Sequence, residues 1–274
     1  MWNLQTGQVL LTLEGHSENV SGAAVTPDGK WAVSASRDKT LKLWDLKTGR
    51  ALPNLEGHSD PISGVAVVPA LNRGASISRA GSLWLWDLNL GHALRDFESD
   101  SPLCSSVAVT ADGKRAVSAS LDRMFGTLKL WELETGEVLR IIKDSPSTIY
   151  GVAVTGDGKL AVSASQDKAL KVWDLETSWM PRALEGHSDA VCGVAMTGNG
   201  KLAVSASLAG CGKSRSRAGI TKQKILQLFY ARHRRSAVGD VPLPVSGPAG
   251  SGGASIKEGA GDHGTAAGGD VGFV

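Results

Sequence analysis

Tryptophan returns along this chain at a nearly fixed interval: Trp2, Trp44, Trp86, Trp131 and Trp173 are separated by 42, 42, 45 and 42 residues. Composition alone does not generate such a period, and one of this size marks an array of structural repeats. Other residues keep step with the indoles. Gly15-His16 recurs as Gly57-His58 and Gly186-His187, while Trp44-Asp45 recurs as Trp86-Asp87 and Trp173-Asp174, with Trp131-Glu132 between them. There are 8 Trp against 2 Tyr and 4 Phe, so tryptophan serves one repeated structural slot.

Inside one period the pattern predicts a meander of four short strands. In "NVSGAAVTPDGKWAVSASRDKTLKLWDLKTGRAL" an apolar run meets the turn Pro27-Asp28-Gly29, and a second run, Trp31 to Ser36, ends at Arg37-Asp38-Lys39. A third run, Thr40 to Leu46, stops at Lys47-Thr48-Gly49, and a fourth begins at Arg50. Runs of this length, rich in β-branched and apolar residues and punctuated by Asp-Gly and Thr-Gly, are strands and tight turns. No part of residues 1–208 sustains a helical period.

The Gly-His pair, the central Asp and the closing Trp-Asp, repeated at this spacing, resemble the WD-repeat (WD40) family over residues 1–208. The near-identity of the repeats resembles bacterial members in which the propeller follows a signalling or nucleotide-hydrolysing module. The resemblance implies an all-β, WD40-type β-propeller, with four-stranded blades packed face to face around a channel. Units then fall at about 14–56, 57–98, 99–143 and 144–185, with a partial fifth at 186–208. Residues 1–13 supply the outer strand of a preceding or closing blade. The expectation is an incomplete propeller rather than a five-blade ring closed by pairing residues 2–13 with the Val191–Leu208 hairpin, and its bare end faces invite self-association.

In that family a His, a Ser or Thr of the second strand, an Asp and the Trp form a hydrogen-bonded set, because a buried imidazole or indole N–H without a partner is costly. Carried over, the first unit holds His16, Ser34 or Ser36, Asp38 and Trp44. The second keeps His58 and Trp86 with Ala80 at the Asp position. The third has Asp100 in the His slot beside Asp122 and Trp131. The fourth has Ser145 there, with Asp167 and Trp173, and the fifth keeps His187 with Ala209 and Arg215 in place of Asp and Trp. Recurrence once per unit marks supports rather than catalytic groups. The resemblance also implies a non-catalytic scaffold that binds proteins or peptides on the propeller rim. Contact positions carried over are Asn19, Ser21, Arg37, Pro61, Ser63, Arg79, Leu103, Ser105, Thr148, Tyr150 and Gln166. Arg37, Arg79 and Tyr150 are favoured, since Tyr, Trp and Arg dominate binding hot spots.

After Leu208 the repeat ends and the charge changes: residues 1–208 carry a net −3, residues 209–274 a net +5. Gly212-Lys213-Ser214 matches the end of a phosphate-binding loop. The first glycine of such a loop falls at position 207, which is Ser207, and no carboxylate-ended strand follows to hold a magnesium ion. A degenerate nucleotide loop at 207–214 is therefore the weaker, enzymatic alternative. Residues 209–246 form a basic segment in which 220–235 fits a short helix with Ile225, Leu228, Phe229 and Arg232 on one face. Through 213–235 it would touch nucleic acid or anionic membrane, a lesser expectation than a solvated appendage. The Gly- and Ala-rich residues 247–274 have little to bury and are expected to be disordered.

Three cysteines, Cys104, Cys192 and Cys211, are too few and too scattered for a disulfide framework. His16, His58 and His187 belong to different units, so neither a metal site nor a cofactor is expected. The N-terminus lacks a basic, apolar leader and no apolar run approaches a membrane span. A cytoplasmic protein is the expectation.

Overall fold

The structure, a computed structural model, describes residues 1–208 apart from 53, 54, 69, 70, 99–101, 123, 145 and 181, together with the backbone of 226–230. The described residues form five antiparallel sheets and no helix. Blade 1 holds β1 (Val20–Val25), β2 (Trp31–Ser36) and β3 (Leu41–Asp45). Blade 2 holds β4 (Ile62–Val68), β5 (Arg73–Ser78), β6 (Leu83–Asp87) and β7 (His92–Phe97). Blade 3 holds β8 (Cys104–Val109), β9 (Arg115–Asp122), β10 (Phe125–Glu132) and β11 (Val138–Lys143). Blade 4 holds β12 (Ile149–Val154), β13 (Leu160–Ser165), β14 (Leu170–Asp174) and β15 (Arg182–Leu184). Blade 5 holds β16 (Val191–Met196), β17 (Leu202–Ser207) and β18 (Leu226–Tyr230).

One turn closes the first hairpin of four blades. Thr26 Oγ1 donates to Asp28 Oδ1 at 2.6 Å, Asp28 Oδ1 accepts the Lys30 N–H at 3.0 Å, and Gly29 takes φ 67°. The same bonds recur at Thr110/Asp112, Thr155/Asp157 and Thr197/Asn199, each followed by a left-handed glycine. The side chain copies a backbone turn while glycine accepts the positive φ without Cβ strain.

Every inner strand carries a bulge near its start, between Val20/Gly22 in β1 and Ile62/Gly64 in β4, and likewise in β8, β12 and β16. The extra residue resets the alternation of faces. Residues at the Val20, Ala23 and Val25 positions point toward the preceding blade, and those at the Gly22 and Ala24 positions toward the following one. A Cβ built on Gly22 would meet Val65 N at 3.6 Å, one on Gly64 would meet Ser106 Cα at 3.3 Å, and one on Gly151 would meet Gly193 Cα at 3.5 Å. Inner strands of consecutive blades thus approach almost backbone to backbone.

The core lies between blades rather than within any one of them. Val33, Ala35, Leu41 and Leu43 of blade 1 join Ile62, Val65 and Trp86 of blade 2. Ala75, Ile77, Leu83 and Phe97 join Val107 and Trp131, and Val117, Leu128 and Ile142 join Val152 and Trp173. Val162, Ala164 and Leu170 join Val191 and Val194. Each sheet is covered by its neighbour, which is how a repeat array builds one continuous core.

The ends differ from the strand layout expected of them. Residues 2–13 do not complete blade 5. They fold back on themselves through a Trp2–Val9 bridge, and the Leu11 side chain reaches Gly49. The edge of β17 is taken instead by β18, whose residues lie inside the stretch 220–235 that fits a helix by sequence. An unpaired strand edge presents a row of backbone donors and acceptors, and "LQLFY" alternates well enough to satisfy it. Among the described residues, the fourth strand of the first unit shows two isolated bridges, Leu41–Leu55 and Trp44–Ala51.

Candidate partner-binding rim

Hydrogen-bonded side-chain sets tie the strands of each blade beneath the rim turns. In blade 1, Trp44 Nε1 donates to Ser34 Oγ at 2.7 Å, Ser34 Oγ lies 2.7 Å from His16 Nε2, and His16 Nδ1 lies 2.8 Å from Asp38 Oδ2. A carboxylate only accepts, so Nδ1–H donates to Asp38 and Nε2 accepts the serine hydroxyl. The choice between Ser34 and Ser36 is thereby made: Ser36 Oγ instead donates to Glu18 O at 3.3 Å and accepts the Asp38 N–H. Burial opposes ionisation of Asp38, but the Thr40 hydroxyl and N–H, His16 and the Ser17 N–H together hold its carboxyl well below the usual range.

Later blades vary the set. In blade 2 the Trp86 indole and His58 Nε2 meet on Ser76 Oγ at 2.8 and 2.6 Å, and Ser82 Oγ, 3.2 Å from His58 Nδ1, fills the role for which Ala80 has no group. Burial pushes the His58 pKa down to about 4, with the nearby Asp60 charge opposing it. In blade 3 Trp131 donates to Ser118 at 2.9 Å, while Asp122 ends β9 paired opposite Phe125. The expected partner Asp100 lies outside the described residues.

Blade 4 departs furthest. Trp173 donates to Ser163 at 2.9 Å, but Lys171 Nζ bridges Asp144 Oδ1 and Asp167 Oδ2, each at 2.5 Å. Burial disfavours the Lys171 charge, yet the two carboxylates outweigh it and raise its pKa. Ser145, expected in the His slot, lies outside the described residues. In blade 5, His187 Nε2 is 2.7 Å from Ser205 Oγ. Ala209 and Arg215 fall outside the described residues, and the register opposite Ala203, where the other blades have Trp, belongs to Phe229.

Backbone hydrogen bonds bring two turns of each blade together. Arg37 N–H donates to Asn19 O at 3.0 Å, Arg79 to Pro61 at 2.8 Å and Gln166 to Thr148 at 2.9 Å. The predicted pairs are therefore neighbours in space. Two further pairs complete the row, Leu121 to Leu103 at 3.3 Å and Leu208 to Ala190 at 2.9 Å. Asn19, Arg37, Arg79 and Gln166 are exposed, whereas Pro61, Thr148 and Tyr150 are half-buried.

The inner-strand serines are engaged within the arc. Ser21 Oγ donates to Ala35 O at 3.1 Å and Ile62 O at 2.5 Å, Ser105 Oγ to Ala119 O and Ile149 O, and Ser63 Oγ to Ile77 O at 3.3 Å. Ser21 and Ser105 clip one blade to the next. The rim also has a feature that sequence reasoning missed. The 45-residue interval before Trp131 lengthens the β9–β10 hairpin to eight-residue strands, and its tip exposes Met124 and Phe125.

The arrangement is that of a repeat array whose blades each expose one turn pair along a common edge. The family model for the WD domain, G-beta repeat, matches residues 7–45, 136–174 and 180–212. Over these three regions the chain is similar to WD40 repeats, and its all-β blades have a β-propeller arrangement. Propellers of this kind are generally protein-interaction scaffolds and typically lack catalysis of their own. Among the described residues no three His, Cys, Asp or Glu are grouped as metal ligands, and no helix is long and apolar enough to cross a membrane. Of the nucleotide-loop stretch only Ser207 and Leu208 are described: Ser207 ends β17 with its hydroxyl donated to Asp189 O at 3.0 Å.

Proposed function

We propose that this chain is a non-catalytic scaffold that binds a protein or peptide partner along the row of paired turns. The observation that carries this is the repetition of the pair in five consecutive blades, with two exposed arginines, Arg37 and Arg79, at one end and the exposed Met124–Phe125 tip at the centre. Arginine and aromatic side chains dominate binding hot spots, and turns already held by backbone hydrogen bonds need little backbone ordering on binding. The histidines and aspartates that a catalytic reading would use are bound up in ties repeated from blade to blade. Cys104, whose thiol burial pushes up to about 11, is equally inert. A cytoplasmic setting suits its buried thiol and the half-buried Cys192.

The test compares the full chain with an Arg37→Ala/Arg79→Ala/Tyr150→Ala variant and with a Met124→Ser/Phe125→Ser variant. Proteins retained from lysate are quantified for each, alongside thermal melting. Loss of the same retained proteins from both variants, with unchanged melting, is the expected result. Retention identical to the parent in both would sink the rim assignment.

A further inference from the structure

The two ends of the blade array show opposite halves of one interface. At the first end, the positions that face a preceding blade lie open: Val20 is 54% exposed and Val25 55%, whereas Ile62, Cys104, Ile149 and Val191, the counterparts of Val20, are at most 4% exposed. Ala23 is exposed, while its counterparts Val65, Val107 and Val152 are buried. The opposite face of blade 1, through Gly22 and Ala24, is covered normally by blade 2.

At the other end the pattern inverts. β16 seats Val191 and Val194 against blade 4, but a Cβ on Gly193 would meet nothing within 4 Å among the described residues. The strand β17 gives the same reading independently. In β2, β5, β9 and β13 the five residues after the first are all buried, while in β17 Val204 and Ala206 become half-buried. These are the positions that Val33 and Ala35 hold in blade 1, where blade 2 covers them. The first and last blades do not pack on one another as consecutive blades do.

From this we infer that a second copy of the chain docks the Val20–Val25 face of its first blade onto the Gly193/Val204/Ala206 face of blade 5, in the geometry of the contact between successive blades. The occupant follows from the molecule itself. Each open face is a repeat of a face the chain already buries four times, and its partner in those four contacts is a repeat of the other open face. Glycine at position 193 leaves the room that an incoming inner strand needs, as Gly22 and Gly151 do. The interface is head-to-tail, so it joins unlike patches and differs from a two-fold contact of one patch with itself.

Complementation between blocked ends tests this on the full chain. Val25→Lys blocks the head and Gly193→Lys the tail, both at positions with open space in the single copy. Val20→Lys and Ala195→Lys form a second pair on the same faces, used if a melt shows either first variant to be unfolded. Sedimentation across a dilution series should show the parent associating and each single variant staying monomeric. An equimolar mixture of the two should then form a dimer and nothing larger, since one free head and one free tail remain. A parent that stays monomeric throughout overturns the inference. So does a blocked variant that still self-associates, which would indicate contact of one face with its own kind, and so does a mixture that fails to dimerise. Rim substitutions leave this association unchanged, so its failure and that of the scaffold reading are separable.

Discussion

Blades 1 and 4 solve the same structural problem with different chemistry. In both, an indole N–H must be satisfied and the loop before the inner strand must be tied to the loop after the second strand. Blade 1 does this with one imidazole, which accepts from Ser34 and donates to Asp38. Blade 4 splits the two roles between separate groups. There Ser163 takes the indole, while Lys171 on the third strand ties Asp144 before the inner strand to Asp167 after the second. The slot therefore requires a bridge and an indole acceptor rather than a particular residue. The two solutions carry different risks. A buried ion bridge loses more when one member is removed, because the remaining charge stays out of water.

The largest effect expected from that contrast is at Lys171. Lys171→Met removes the cation beside Asp144, whose side chain is 3% exposed, and should cost about 3–5 kcal/mol in urea unfolding. Adding Asp144→Ala should recover part of it. A loss no greater than that of Ser34→Ala would break the comparison.

Blade 2 sharpens the comparison through pH. His58 is held neutral by burial, with its pKa near 4 against an ordinary 6.5. Between those values the unfolded chain takes up a proton that the folded chain refuses. Its contribution is therefore complete above pH 6.5 and declines as pH falls toward 4, by about 3 kcal/mol in all. His58→Gln should flatten that part of the stability profile. The Asp38 carboxyl of blade 1 works in the same direction but at lower pH. Its depressed pKa gives stability that is present above the ordinary carboxylate value of 3.8 and lost only in stronger acid. Asp38→Asn should therefore lower stability throughout the range above about pH 3.8 and flatten the acid limb, and a change confined to the window between about pH 4 and 6.5, where His58 titrates, would count against the assignment.

Smaller losses follow. Ser34→Ala leaves the Trp44 and His16 nitrogens facing each other across a missing oxygen and should cost about 1–3 kcal/mol. At the bottom of the scale, Val25→Lys should shift the unfolding of the single copy by no more than about 0.5 kcal/mol, since the side chain already faces water. A larger shift would mean that the face is covered within one copy.

The repeating frame was legible because its demands fall at fixed registers. An indole on the third strand opposite Ala32, Gly74, Ala116 or Ala161 reaches a serine two residues further along. The choice of Ser34 over Ser36 was not legible, since both are buried hydroxyls on one side of the same strand. Nor was the Lys171 bridge: Asp144 aligns with the glycine of the Gly-His pair, and only the fold shows that a lysine head reaches it. The strand at 226–230 was misjudged because "KILQLFYARHRR" satisfies both a helical and an alternating period. The available edge of β17, a tertiary feature, decides between them.

The Thr-x-Asp-Gly-Lys turns have a kinetic consequence. Each closes a hairpin from residues five apart, with bonds that depend on no other blade. The chain thus contains several places where ordering starts at small loop-closure cost, and each finished hairpin offers a template on which the next can condense. The order in which blades appear is then set by which hairpin closes first and not by a single obligatory nucleus. The second blade, which lacks this turn and has Asn72 at φ 47° instead, is the one most dependent on finished neighbours.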